Sequence, residues 1–228
     1  MSATAAAPTR LGAIDLLDAI SLPTKRDEAW RYAPHRLLAD LTFGPTVAGR
    51  IELPFELDER LAYLGGPCIV VVNGAVDRTR SNLDGVDGVH LATLADVAGS
   101  TPELVARHAD EVDIADSFVA FNLAYGTDGA VVRVDAGVDV AAPIHVVDIV
   151  VPGEVTNASN TGVIIQMGEQ SAATVVESRI GAGSGFGGSN VRTTIDLAAD
   201  ATLEHLVVQD LPAGQVHLGR VDARQDER

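Results

Sequence analysis

Two segments of the chain can be laid one over the other: VIIQMGEQSAATVVE from Val163 and TTIDLAADATLEHLV from Thr193. The superposition pairs Ile165 with Ile195, Met167 with Leu197, Ser171 with Ala201 and Val176 with Leu206, a constant offset of 30 residues (195 minus 165). A looser third copy, VVRVDAGVDVAAPIHVV from Val131, fits once about two inserted residues are allowed. From Ala130 onward the apolar runs are short, rich in Val and Ile, and separated by Gly, Asp, Ala or Ser. They show no helical period, which is the pattern of strands. Strands recurring at such an interval predict a solenoid, in which each coil lies parallel to the one before and buries its inward residues against it. A hairpin sandwich would need two-residue turns, and the stretch from Ala130 to Gly162 offers few.

Residues 1–115 read differently, as a mixed and mostly helical amino-terminal domain. LGAIDLLDAI places Leu11, Ile14 and Leu17 on one helical face. Just before the stretch KRDEAWRYAPH, Thr24 is positioned to cap a short helix with Asp27 and Glu28 in its first turn and Trp30, the only tryptophan, as its buried anchor. Gly44, Pro45 and Gly49 end that character. CIVVVNGAV predicts strand, Asn73-Gly74 turn, strand. HLATLADVA and TPELVARHA predict two short helices, the second with Pro102 at its first position. The fold expected is α+β: this domain, then a partial right-handed parallel β-helix over residues 116–228.

Sixteen Lys and Arg against 32 Asp and Glu leave a net charge of −16, which disfavours nucleic acid as a partner. The amino terminus lacks a signal-peptide pattern and no apolar run has membrane-spanning length. A cytoplasmic protein without membrane attachment is the expectation. The single cysteine, Cys68, sits among apolar neighbours and reads as a buried, inert thiol.

Motifs of chemistry are sparse. Gly183, Gly185 and Gly188 have GxGxxG spacing, but they lead into a strand-like segment instead of a helix, so a loop between coils is the better reading. The histidines, at positions 35, 90, 108, 145, 205 and 217, show neither HxxxH nor HxH spacing and are expected to be structural. Glu177, beside Ser178 and Arg179, suits a coil-stacking ion pair or an exposed position. No catalytic residue and no metal ligand set is expected.

Four separated stretches carry a family likeness. LPTKRDEAWRYAPHRLLADLTF resembles the amino-terminal signature of the SufB/SufD scaffolds of SUF iron-sulfur cluster assembly. CIVVVNGAVDRTRSNLDGVDGVHLATLADV is similar to that family's strand, turn and following helix. SFVAFNLAYGTDGAVVRVDAGVDVAAPIHVVDIV matches its Phe-x-x-x-Asn-x-Ala segment leading into the β-helix, and QSAATVVESRIG with LEHLVVQD resembles its repeated coils. The amino-terminal half is more similar to SufD than to SufB. The resemblance implies a non-catalytic scaffold that works with a SufB-like paralogue and an ABC-type ATPase. It implies an iron-sulfur cluster held only transiently in the full complex, with no cofactor bound by this chain alone. Family members run well beyond 228 residues, so the resemblance also implies a chain that stops before the later coils, the cluster-handling residues and the ATPase-docking domain. An open solenoid end predicts self-association. A carbohydrate-active β-helix enzyme and a purely structural solenoid are the competing readings.

Overall fold

A computed structural model describes residues 21–44, 51–110, 116–126, 128–153 and 157–226. Its strands, in chain order, are β1 (Thr42–Phe43), β2 (Cys68–Val72), β3 (Ala75–Val76), β4 (Val89–Thr93), β5 (Gly129–Val134), β6 (Ile144–Val150), β7 (Asn157–Met167), β8 (Ala172–Gly181), β9 (Gly187–Leu197), β10 (Thr202–Asp210) and β11 (Gln215–Gln225). The helices are α1 (His35–Ala39), α2 (Phe55–Ala62), α3 (Leu94–Ser100), α4 (Pro102–Asp110) and α5 (Ser117–Tyr125).

The chain alternates between two sheets. One runs β11-β9-β7-β5-β4, with β1 also pairing β7, and the other runs β10-β8-β6-β2-β3. All pairings from β5 to β11 are parallel, and together they make a solenoid of about three turns. The sequence repeat is the strand register: Ile165 pairs Ile195, Met167 pairs Leu197 and Val176 pairs Leu206. The looser copy also behaves as its sequence implies. Val132 pairs Ile165, 33 positions on, whereas Ile144 pairs Val175, 31 positions on, so the first coil carries two extra residues between them.

Inward residues of both sheets form the main core, including Ile69, Val132, Ile144, Val146, Ile165, Val175 and Ile195. The outer faces of the opening strands are covered as well. Leu53, Leu57 and Leu61 pack on Val70, Val72, Val147 and Ile149, and Leu94, Val97 and Leu104 of α3 and α4 pack on Val131 and Ile164. A strand buried on both faces needs no alternation. That is why CIVVV is apolar throughout and why every residue of β2 is buried.

The Asn73-Gly74 turn is as expected, with φ of 47° and 83° at its two central residues, the left-handed pair that a tight hairpin between twisted strands requires. Helix α4 begins at Pro102, also as expected.

Two local readings change. HLATLADVA is half strand: Val89–Thr93 pairs antiparallel with β5, and Thr93 then caps α3 by accepting from the Asp96 amide at 3.0 Å. Tertiary pairing with β5 outweighs helical propensity here. Thr24 does not cap a helix. The Asp27 carboxylate instead accepts from the Thr24 N–H at 2.7 Å and from its hydroxyl at 3.0 Å, and only a three-residue 3₁₀ turn, Glu28–Trp30, follows. The helix expected over LGAIDLLDAI, residues 11–20, lies outside the described residues.

Trp30 is half-buried. Its ring lies 4.8 Å from that of Phe118 at a tilt of 51°, in a cluster with Leu38, Leu41, Val216 and Leu218. The segment thus staples the front of the chain to α5 and the last strand. Helix α5 is fixed in turn by asparagines. Asn122 Nδ2 donates to the carbonyls of Thr161 and Asn190 at 3.0 and 2.8 Å, while Asn190 Nδ2 donates to the Phe118 carbonyl at 2.7 Å and to Asn160 Oδ1 at 3.0 Å. Phe118, Asn122 and Ala124 are the Phe-x-x-x-Asn-x-Ala residues, so that motif is a lock between helix and solenoid.

Candidate functional site

Register sorts the solenoid interior into columns one strand spacing apart, about 4.8 Å. On one sheet Ile144, Val175 and His205 form a column, Val146, Glu177 and Val207 a second, and Asp148, Arg179 and Gln209 a third. On the facing sheet Ser159, Ser189 and His217 align, as do Thr161, Val191 and Gly219, and then Val163, Thr193 and Val221. The interior therefore divides lengthwise. The half beside the Gly168 and Ala198 corners is aliphatic, and the half beside the glycine-rich 181–187 corner is polar and charged.

At the centre of the polar half lies Glu177, fully buried. It pairs with the buried Arg179 guanidinium through Nη2 and accepts from Thr193 Oγ1 at 2.9 Å and from His205 Nε2 at 2.6 Å. One coil earlier Asp148, also fully buried, accepts from Thr161 Oγ1 at 2.9 Å. Burial pushes its carboxyl above the usual carboxylate range, against the pull of Arg179, Thr161 and Ser189. Ser189 Oγ lies 2.8 Å from His217 Nδ1. Burial, aided by the Arg179 charge, holds His217 down to about 4 and lowers His205, so His217 is a neutral imidazole at pH 7. The His217 ring occupies space left by Gly219, where a Cβ would lie 2.7 Å from Nε2.

This polar half opens into a cleft of about 280 Å³ between β10 and β11, lined by Arg179, Thr193, Gln209, His217, Gly219 and Arg220 among others. Chemically it is a chain of buried charges and hydrogen-bonding groups running along the coil axis to the last pair of strands. Beside it Leu206, Val207, Val208 and Val221 are 44–49% exposed.

The residues singled out in the sequence fall in different places. Glu177 is neither exposed nor in a coil-stacking pair with an arginine: its ion pair is with Arg179, two residues along the same strand, and it is fully buried. Cys68 is buried on the outer face of its sheet, against the α2 leucines, and desolvation pushes its thiol up to about 11. The glycine-rich stretch is a corner between β8 and β9 with no helix behind it. Among the histidines, His205 and His217 point into the polar half. His108 is buried on the outside with Nδ1 2.7 Å from Thr194 Oγ1, His35 bridges the Pro23 and Trp30 carbonyls, His90 meets Asp135 at the surface, and His145 is half-buried on β6. Asp148, Thr193 and Ser189 were missed and Arg179 was noted only as a neighbour of Glu177, although the 30-residue offset would have found all but Asp148, which lies 31 positions before its partner Arg179. Carried through polar positions as well as apolar ones, it stacks Arg179 on Gln209 and Ser159 on Ser189 with inward parity.

Among the described residues no three His, Cys, Asp or Glu side chains converge as metal ligands. No described helix is long and apolar enough to cross a membrane.

Residues 1–146, which run from the amino terminus into β6, match the family model described as the SufBD protein N-terminal region. An iron-sulfur cluster assembly SufBD family protein of Synechocystis is 29% identical over 140 residues, a match that covers 60% of this chain and 30% of that protein. The match thus spans less than a third of that relative's own length. With a family match over more than half its length, leading into a parallel solenoid, the chain belongs to the SufB/SufD family.

Proposed function

We propose that the chain acts in iron-sulfur cluster assembly as a SufD-like, non-catalytic scaffold, beside a SufB-like paralogue and an ABC-type ATPase. One observation carries the reading: a family-matched front end leads into a solenoid with a charged, polar interior, yet the only thiol, Cys68, is buried on the outside and held protonated by desolvation. Iron-sulfur clusters are held by about four thiolates. A nascent cluster is therefore cargo here, and its thiolates come from a partner. The division into a polar and an aliphatic half suits a scaffold whose interior orders polar groups while its aliphatic half keeps the coils stacked. SufD-like character rests on the amino-terminal resemblance.

Affinity purification of the tagged chain from its own cells under anaerobic conditions tests this. Recovery of a cysteine-bearing paralogue together with an ATPase supports the proposal. A preparation free of both, or one that cleaves polysaccharide, overturns it.

A further inference from the structure

Arg179 is 3% exposed, and only one of its three nitrogens has a protein acceptor. Nη2 meets Glu177, whereas Nε and Nη1 are buried without any hydrogen-bond partner. Buried donors are almost always satisfied, and an orphaned guanidinium N–H calls for an explanation. Glu177, which also accepts from Thr193 and His205, meets only the Nη2 nitrogen of this guanidinium. Arg179 lines the 280 Å³ cleft, and with it come the Gln209 amide, His217 and, at the rim, Arg220. That volume is several times the share of one water, about 30 Å³.

The geometry points to a binding site for a small inorganic oxyanion in this cleft, with the free N–H groups of Arg179 as its principal donors and Gln209, His217 and Arg220 around it. Arg179 and Glu177 cancel, and Arg220 is shared with Asp222 at 3.0 Å and Asp116 at 3.8 Å, so the site offers directed donors and no net positive charge. The overall charge of −16 opposes anions at long range. It is screened beyond about 8 Å at physiological salt, so contact donors decide the outcome. A guanidinium bond to an oxyanion is among the stronger hydrogen bonds available. This inference does not depend on the cluster-assembly role.

The test is titration of the full chain with sulfate and, separately, phosphate at constant ionic strength, following the Arg179 Nε–H signal and the Gly219 amide by heteronuclear NMR. The expected result is a saturable shift of both signals. It is weakened several-fold in Arg220→Gln and Gln209→Leu, which leave the buried pair intact, and the Gly219 shift is absent in the double variant Glu177→Gln/Arg179→Met, which removes the buried pair together with the Arg179 signal. Linear, non-saturating shifts overturn the proposal, as does saturation that survives in the double variant. If the double variant does not fold, unchanged saturation in both rim variants overturns it equally, because the ligand then sits elsewhere.

Discussion

Replacing Glu177 by Gln is nearly isosteric and removes one charge at the centre of the polar half. Glu177 is fully buried and its partner Arg179 is 3% exposed, so solvent cannot compensate. The substitution weakens three charge-assisted bonds, from Arg179, Thr193 and His205, and leaves the guanidinium with Asp148, one coil away, as its remaining counter-charge. Breaking a buried pair by removing one partner costs about 3–5 kcal/mol. Against a typical stability of about 5–15 kcal/mol, that is enough to move a denaturation midpoint clearly. The comparison variant is Glu177→Leu/Arg179→Met, which removes both charges; because desolvation is costly, a buried pair replaced by apolar groups is often neutral. Urea unfolding followed by far-UV circular dichroism at pH 7 reads both. The single variant is expected to lose several-fold more stability than the double. A single-variant loss below about 1 kcal/mol, or a double variant worse than the single, would show that Glu177 is hydrated and that its pair with Arg179 is not desolvated.

Three further outcomes follow from the same structure. Trp30→Ala removes about 100 Å² of buried ring and the Phe118 contact, and should cost about 3 kcal/mol in urea unfolding; an unchanged midpoint would mark Trp30 as a partner-binding residue instead. His217, held at about 4 by burial, and His108, held at about 3, have folded pKa values below the ordinary 6.5. Their contribution to stability is therefore complete above pH 6.5 and lost as pH falls toward 4, with the raised Asp148 carboxyl acting in the opposite sense. His217→Gln should reduce the loss of stability between pH 6.5 and 5 by roughly 2 kcal/mol, and parallel pH profiles for variant and parent would refute this. Finally, β10 and β11 border their sheets with exposed Val207, Val208 and Val221, so light scattering should show concentration-dependent self-association that Val208→Lys suppresses. A monodisperse monomer with strong amide protection from Leu203 to Gln209 argues the reverse.

The solenoid was legible because a stacked coil writes its register into the chain: Ile165 over Ile195 and Val176 over Leu206 are both a repeat and a ladder. Pro102 and Asn73-Gly74 were legible because their backbone constraints are local. Thr24 was misread because capping preference is weak when only three residues turn, and HLATL because its partner, β5, lies some 40 positions further on. The polar half stayed hidden for a different reason. Glu177 and Arg179 look like surface residues in any single strand, and only the facing sheet, with Thr193, Ser189 and His217, shows that they are enclosed.

The central claim, that a cluster is cargo shared with a partner and not held by this chain, is tested most directly by anaerobic reconstitution with iron and sulfide. The isolated chain should keep no visible absorption after desalting, since Cys68 alone cannot supply about four thiolates, while the proposed complex with a cysteine-bearing paralogue should keep the chromophore. A persistent chromophore on the isolated chain that disappears in Cys68→Ser would contradict the account.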